Sequence, residues 1–175
     1  MKVTFNDQLA QLDELAAELR LIRDGEAKEG LKSLKTDYRR SIHAAGLAQA
    51  VAGCYTRIEH VLDFVAREVD GEPVRGERCH RVLLDRVVTA RPDVPRPAVI
   101  SRRTHAMLDE LRQFRHVAKS IYPSLLRVTD VQRNLSTLVK AVPRFEREFR
   151  RFVRHMARPA PGERNRPRHG SGAHD

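Results

Sequence analysis

Tryptophan is absent from this 175-residue chain, and aromatic residues make up only 5% of it. Any core must therefore be built mostly from aliphatic side chains. No stretch reaches the roughly 18 consecutive apolar residues of a membrane-spanning helix, so no membrane segment is expected. There are only two cysteines, Cys54 and Cys79, too few for a disulfide framework and without metal-ligand spacing. Both read as core or near-core thiols of a reducing cytoplasm. The eight histidines are scattered without ligand spacing, so no metal site is expected, and no cofactor either. Met1-Lys2-Val3-Thr4-Phe5 lacks the apolar block of a signal peptide, which again points to the cytoplasm. Nowhere do apolar and polar residues alternate as in a half-buried strand, and no internal repeat is visible.

What the chain has in quantity is charge. Charged residues are 32% of the total, and 33 Lys and Arg against 23 Asp and Glu leave a net charge of +10. That excess favours an anionic partner: nucleic acid, a nucleotide or an acidic protein. Arginine-rich composition by itself does not separate such a partner from a general use of Arg in place of Lys. The length suits one domain with its own core. The expected division is a helical domain over residues 1–157 and a disordered basic tail over 158–175, which is rich in Pro, Gly, Arg and His.

Apolar residues recur with helical spacing along most of the chain. Leu9, Leu12, Ala16, Leu19 and Ile22 predict a helix over Asn6 to Asp24, opened by a capping box of Thr4 and Asp7 and interrupted at Gly25 and Gly30. Ala44, Ala48, Val51, Tyr55, Ile58, Leu62, Val65 and Val69 predict a spine helix from Leu34 to Val69. A short helix follows from Glu77 to Thr89, with Cys79, Val82, Leu83 and Val87 inward. Pro92, Pro95 and Pro97 then predict a rigid extended connection. Ser101 caps a fourth helix whose stripe is Met107, Leu111, Phe114, Ala118 and Ile121. The last helix is expected to open on a Thr129–Gln132 capping box, to bury Leu135, Leu138, Val142, Phe145, Phe149 and Phe152, and to kink or split at Pro143. The expected fold is all-α, an up-down bundle of about five helices.

The end of the fourth helix concentrates reactive side chains. In Leu111-Arg112-Gln113-Phe114-Arg115-His116-Val117-Ala118-Lys119-Ser120-Ile121-Tyr122, the residues Arg115, Lys119 and Tyr122 fall on one helical face. Arg115 reads as a phosphate contact or as one half of an ion pair with Asp109 or Glu110. His116, about 100° round the helix from Arg115, reads as an acid/base group or as a packing histidine. Lys119 and Ser120 read as joint phosphate contacts or as a solvated helix end. Tyr122 precedes Pro123, which pushes its backbone away from α and towards exposure. Glu59, beside the stripe of the spine helix, either orients Arg115 or belongs to a surface network with Arg67. Arg144, Arg147, Arg151, Arg154 and Arg158 run opposite the phenylalanine stripe of the last helix, as a grip for RNA or a solvated face.

These segments resemble a known family. Leu108-Asp109-Glu110-Leu111-Arg112-Gln113-Phe114-Arg115-His116, then Tyr122 and Leu126, is similar to the core signature of HepT-like proteins of the HEPN superfamily. Tyr55-Thr56-Arg57-Ile58-Glu59, Ala66-Arg67-Glu68 and Gly76-Glu77-Arg78-Cys79-His80-Arg81 resemble its second and third helices, so the likeness spans residues 40 to 157. The resemblance implies a helical toxin of a toxin–antitoxin pair, a homodimer with its motif at the dimer cleft, and in many members a metal-independent endoribonuclease. It also implies a minimal nucleotidyltransferase antitoxin as partner, which silences the toxin by transferring AMP from ATP to the motif tyrosine. The family pattern is Arg-x4-His-x-Tyr. Arg115 takes its arginine position and Tyr122 its tyrosine position, while Ser120 stands where the histidine is expected. A serine hydroxyl does not exchange a proton near neutral pH as an imidazole does. His116 is then the candidate acid/base, with Arg115 stabilising the phosphorane. Arg75 with His80, and Arg150 with His155, repeat the Arg-x4-His spacing without the tyrosine and read as chance pairs in an arginine-rich chain. The alternative is a catalytically inactive helical module that binds a partner nucleotidyltransferase.

Overall fold

A computed structural model describes residues 3–76, 78–120 and 126–158. Among them the chain is all-α, with helices α1 (Phe5–Glu29), α2 (Asp37–Phe64), α3 (Cys79–Val87), α4 (Arg102–Ser120) and α5 (Val128–Met156). Tyr122 and the tail beyond Arg158 lie outside the described residues.

The expected capping box opens α1: Asp7 N–H donates to Thr4 Oγ1 at 3.3 Å, and Thr4 N–H donates to Asp7 Oδ2 at 2.7 Å. The helix then runs through Gly25 and ends only at Glu29, five residues beyond the predicted end at Asp24. An exposed glycine costs a helix about 1 kcal/mol, too little to stop one whose far turn is tethered. The tether is a contact between Glu26 and His43 of α2. α2 starts at Asp37 rather than Leu34 because Thr36 Oγ1 accepts from Arg39 N–H at 3.3 Å and caps it there.

The predicted spine does reach Val69, but its last turn, Val65–Val69, is π-helical. Gly71, at φ +67°, ends it. The next residue after that wider turn, Asp70, is fully buried and receives a two-pronged ion pair from Arg96: Nε to Oδ1 at 2.6 Å and Nη2 to Oδ2 at 3.0 Å. Arg96 also donates to the carbonyls of Thr89 (3.0 Å) and Pro97 (3.1 Å). Arg91 Nη1 lies 3.8 Å from the same Asp70 carboxylate. Both ends of the proline-rich loop are thus drawn to one acid. The loop accordingly folds back, Arg91 and Arg96 exchanging backbone hydrogen bonds of 3.0 and 3.2 Å, and is not the extended connector its prolines predicted. The effect is to pin the segment carrying α3 against the end of α2.

α4 is capped as expected: Thr104 N–H donates to Ser101 Oγ at 3.3 Å. Glu148 of α5 adds a long-range anchor, accepting from Ser101 N–H at 2.9 Å and from its hydroxyl at 2.8 Å. Near the other end of α4, Gln49 of α2 donates to the Ala118 carbonyl at 2.9 Å, meeting an acceptor in the last turn. α5 departs twice from expectation. It begins at Val128 with no side-chain cap, so Thr129 lies inside the helix and forms no capping box. It also continues unbroken through Pro143, which sits on the exposed face while Val142 and Phe145 bury theirs. Packing along the whole stripe offsets the one missing hydrogen bond.

The core is aliphatic, with aromatics gathered where α1, α2 and α5 meet. Phe5 packs edge-on to Phe64 (5.3 Å between centroids) and to Phe152 (6.1 Å). Leu111, Phe114 and Ala118 face inward as predicted, whereas Val82, expected inside, is 44% exposed on α3. That short helix turns one narrow face, Leu83, Leu84 and Val87, to the core.

Candidate functional site

A concave basic cleft separates α3 from α4. It encloses about 600 Å3 and is lined by Arg78, His80, Arg81, Arg112, Arg115, His116 and Lys119. Gly76, at φ +100°, bends the chain just ahead of α3 so that Arg78, His80 and Arg81 form one wall. The outer face of α4 forms the other, and the inner face of the same helix holds it in the core.

The floor is built from α2. Glu59 is only 5% exposed, and one turn earlier stands Thr56. Arg115 Nε donates to Thr56 Oγ1 at 2.9 Å, and Arg115 Nη1 lies 3.4 Å from Glu59 Oε2. The Thr56 hydroxyl in turn donates to the Ala52 carbonyl at 3.0 Å, which fixes its lone pairs towards the guanidinium. Arg115 is therefore held from beneath, with its side chain 16% exposed. His80 approaches the same carboxylate from α3, Nδ1 lying 3.0 Å from Glu59 Oε1. The approach is out of line for a hydrogen bond, and Oε1 is left without a hydrogen-bond partner among the described residues. Behind these groups is a smaller pocket of about 180 Å3 that both His80 and Arg115 also line.

Positive charge prevails in the cleft. Arg112 is paired with Asp109 at 2.8 Å, and Arg81 is 3.7 Å from Asp85. Among the described residues, neither Arg78 nor Lys119 has an acidic partner within 4.0 Å. Although part-burial works against its charge, the hydrogen bonds from Arg112 and Gln113 leave Asp109 below the usual carboxylate range. Tyr55, one turn before Glu59, is pushed the other way by burial and then by the Glu59 charge, and stays a neutral phenol. Like cations held this close repel one another, and a bound polyanion would relieve that repulsion.

Of the residues predicted from sequence, Arg115, His116 and Lys119 come together in the cleft. Ser120 is exposed at the last turn of α4 and is not among the residues lining it. Arg115 pairs with neither Asp109 nor Glu110 but with Glu59, and Arg67 pairs with Asp63 at 3.0 Å, so Glu59 belongs to no surface network. Arg78, Arg81, Arg112 and His80 were not foreseen as site residues; in the sequence His80 falls in the family-like block Gly76–Arg81 and pairs with Arg75 by chance spacing. The basic block from Arg78 to Arg81 was the available signal, but its nearness to Arg115 is a tertiary fact. Of the α5 arginines, Arg147, Arg151, Arg154 and Arg158 are exposed, and none lines the cleft. No group of three or more His, Cys, Asp or Glu among the described residues is placed to hold a metal ion.

A family model described as HepT-like protein matches residues 46–156, from the middle of α2 to the end of α5. The chain belongs to the HepT-like family. The match includes every residue of the cleft and leaves α1 outside it. No match is found among curated proteins or among solved structures. HepT-like membership places the protein in the HEPN superfamily and points to a toxin–antitoxin module. No helix among the described residues is long and apolar enough to cross a membrane.

Proposed function

We propose that this HepT-like protein is the toxin of a toxin–antitoxin pair and that its α3–α4 cleft binds and cleaves RNA. One observation carries the reading: Arg115, docked on a buried carboxylate and a threonine, shares a concave cationic cleft with His116 and Lys119. A guanidinium held from behind is preorganised to meet charge that builds on a phosphorus in the transition state. Arg115 stabilises the phosphorane, His116 exchanges the proton, and Lys119 and the arginines of the α3 wall hold flanking phosphates. Ser120, at the rim, contacts the phosphate chain where it leaves the cleft. A second copy of the chain completes the site as a homodimer, a reading supported by Val82 (44% exposed) and Val117 (37% exposed), which follow Arg81 and His116 on the two walls. The partner in this proposal is a minimal nucleotidyltransferase that transfers AMP to Tyr122, in the cytoplasm.

Expression of the protein alone tests the proposal. Growth arrest with fragmented RNA, relieved by co-expression of the nucleotidyltransferase, is expected. No toxicity, and none gained by Ser120→His, would sink the nuclease reading. The second reading, a non-catalytic module that binds the nucleotidyltransferase, is favoured by Ser120 itself. It predicts stable co-purification without RNA cleavage. Intact-mass analysis after co-expression separates out the AMP link: an adduct mapped to Tyr122 is expected, and an unmodified Tyr122 would contradict it.

A further inference from the structure

We infer that His80 is the proton acceptor of the cleft, oriented by Glu59, and that it supplies from α3 the imidazole that Ser120 denies to α4. The inference rests on the reading of the cleft as an RNA-cleaving site. It concerns a residue outside the Arg-x4-His-x-Tyr stretch, on a different helix.

Three features single out His80. It lines both the basic cleft and the pocket behind it, so it bridges the phosphate-binding walls and the floor. Its Nδ1 faces Glu59 Oε1 at 3.0 Å, while Nε2 makes no hydrogen bond among the described residues. Glu59 is buried and Oε1 has no hydrogen-bond partner among the described residues, although a buried carboxylate oxygen normally has one. A small rotation of the half-exposed His80 ring would line up Nδ1–H with that oxygen. Contacts of this kind are commonly misaligned in a free enzyme and tighten on substrate. Glu59 would then fix the ring's tautomer, leaving Nε2 as the acceptor, and would stabilise the imidazolium once formed. The same carboxylate holds Arg115 through its other oxygen, so the proton acceptor and the phosphate-binding guanidinium are set by one buried group.

The step balances with groups already in the cleft. The RNA 2′-hydroxyl gives its proton to His80 Nε2 as its oxygen attacks the adjacent phosphorus. The O2′–P bond forms and the P–O5′ bond breaks. The leaving 5′ oxygen takes a proton from the imidazolium of His116, and Arg115 meets the charge on the non-bridging oxygens. The products are a 2′,3′-cyclic phosphate and a 5′-hydroxyl, and exchange with water returns both imidazoles to their starting states. With His116 alone, one ring would have to accept and deliver protons on opposite sides of the phosphorus.

Single-turnover cleavage of a short RNA, measured beside RNA affinity, tests the assignment. His80→Ala should lower the cleavage rate by about 100-fold or more, within the range for general acid–base groups, and change RNA affinity by less than about threefold. Free imidazole in the buffer should restore part of the His80→Ala activity and leave the wild-type rate unchanged; a purely structural role would not respond in this way. Glu59→Gln should lower the rate without creating imidazole rescue. If His80→Ala loses its helical circular dichroism, His80→Gln gives the same comparison with the ring's volume largely kept. A His80 variant that folds and cleaves within about threefold of the wild type overturns the assignment and leaves the RNA-cleaving reading standing. A wild-type protein that leaves the RNA intact overturns both.

Discussion

The molecule carries two basic surfaces, and they differ in everything except charge. On α5, Arg147, Arg151 and Arg154 stand exposed on a convex helix face, with Glu146 interspersed and paired to Arg150 at 2.9 Å. Between α3 and α4 five cations line a concavity, two imidazoles stand among them, and a buried carboxylate lies beneath. The first surface can attract an anion. Only the second sets cations on two facing walls with imidazoles between them. Net charge counts both alike, which is why composition alone does not decide for a nucleic-acid partner.

The largest way to break the contrast is to remove what holds the α3 wall in place. Asp70→Ala leaves Arg96 buried without its counter-charge, and a stability loss of about 3–5 kcal/mol is expected in denaturant unfolding. Arg115→Ala leaves the buried Glu59 facing only His80 and should cost some stability; in protein that still folds, RNA cleavage should fall by about 100- to 1000-fold, the range for removing one preorganised donor to a transition-state charge. Arg151→Ala, read in the same assay, should change it less than about twofold. Charge reversal sharpens the comparison. Arg81→Glu with Lys119→Glu should weaken RNA binding by about tenfold or more, and flatten its salt dependence by about one unit of slope for each phosphate no longer neutralised. Arg151→Glu with Arg154→Glu should weaken binding only about twofold to threefold at the same salt.

A further expected effect concerns the core on which both surfaces are mounted. Burial, with a contribution from the Glu18 charge, pushes the Cys54 thiol from 9.0 up to about 12. As pH rises, the unfolded chain gives up this proton before the folded one does. The contribution is therefore fully present below pH 9.0 and is lost towards pH 12. Unfolding curves across that window should show a shallower decline for Cys54→Ala than for the wild type. Equal slopes would contradict the placement of the thiol.

The sequence was legible where one helix face decided the matter. The stripe from Ala44 to Val65 is buried residue for residue, and the Thr4 capping box forms as its spacing requires. It was least legible where distant residues override local signals. Pro143 should have broken α5, but the helix continues because the proline lies on its solvent side. The proline-rich loop folds back because Arg91 and Arg96 share Asp70, which precedes Arg96 by 26 residues in sequence. The site divides in the same way. Arg115, His116 and Lys119 are neighbours on one helix and could be read together. His80 and Arg78 reach them only because Gly76 and the Asp70–Arg96 pair set α3 across from α4, and nothing local in Arg75–His80 reports that.

The central claim is that the α3–α4 cleft, not basic charge at large, is where the protein holds RNA. Photocross-linking of a short single-stranded RNA carrying 4-thiouridine, followed by peptide mapping, tests it most directly. Cross-links should concentrate on the cleft walls, in peptides spanning Arg78–Arg81 and Arg112–Lys119, and should fall sharply in Arg115→Ala. Cross-links confined to α5, and unchanged in Arg115→Ala, would contradict the claim.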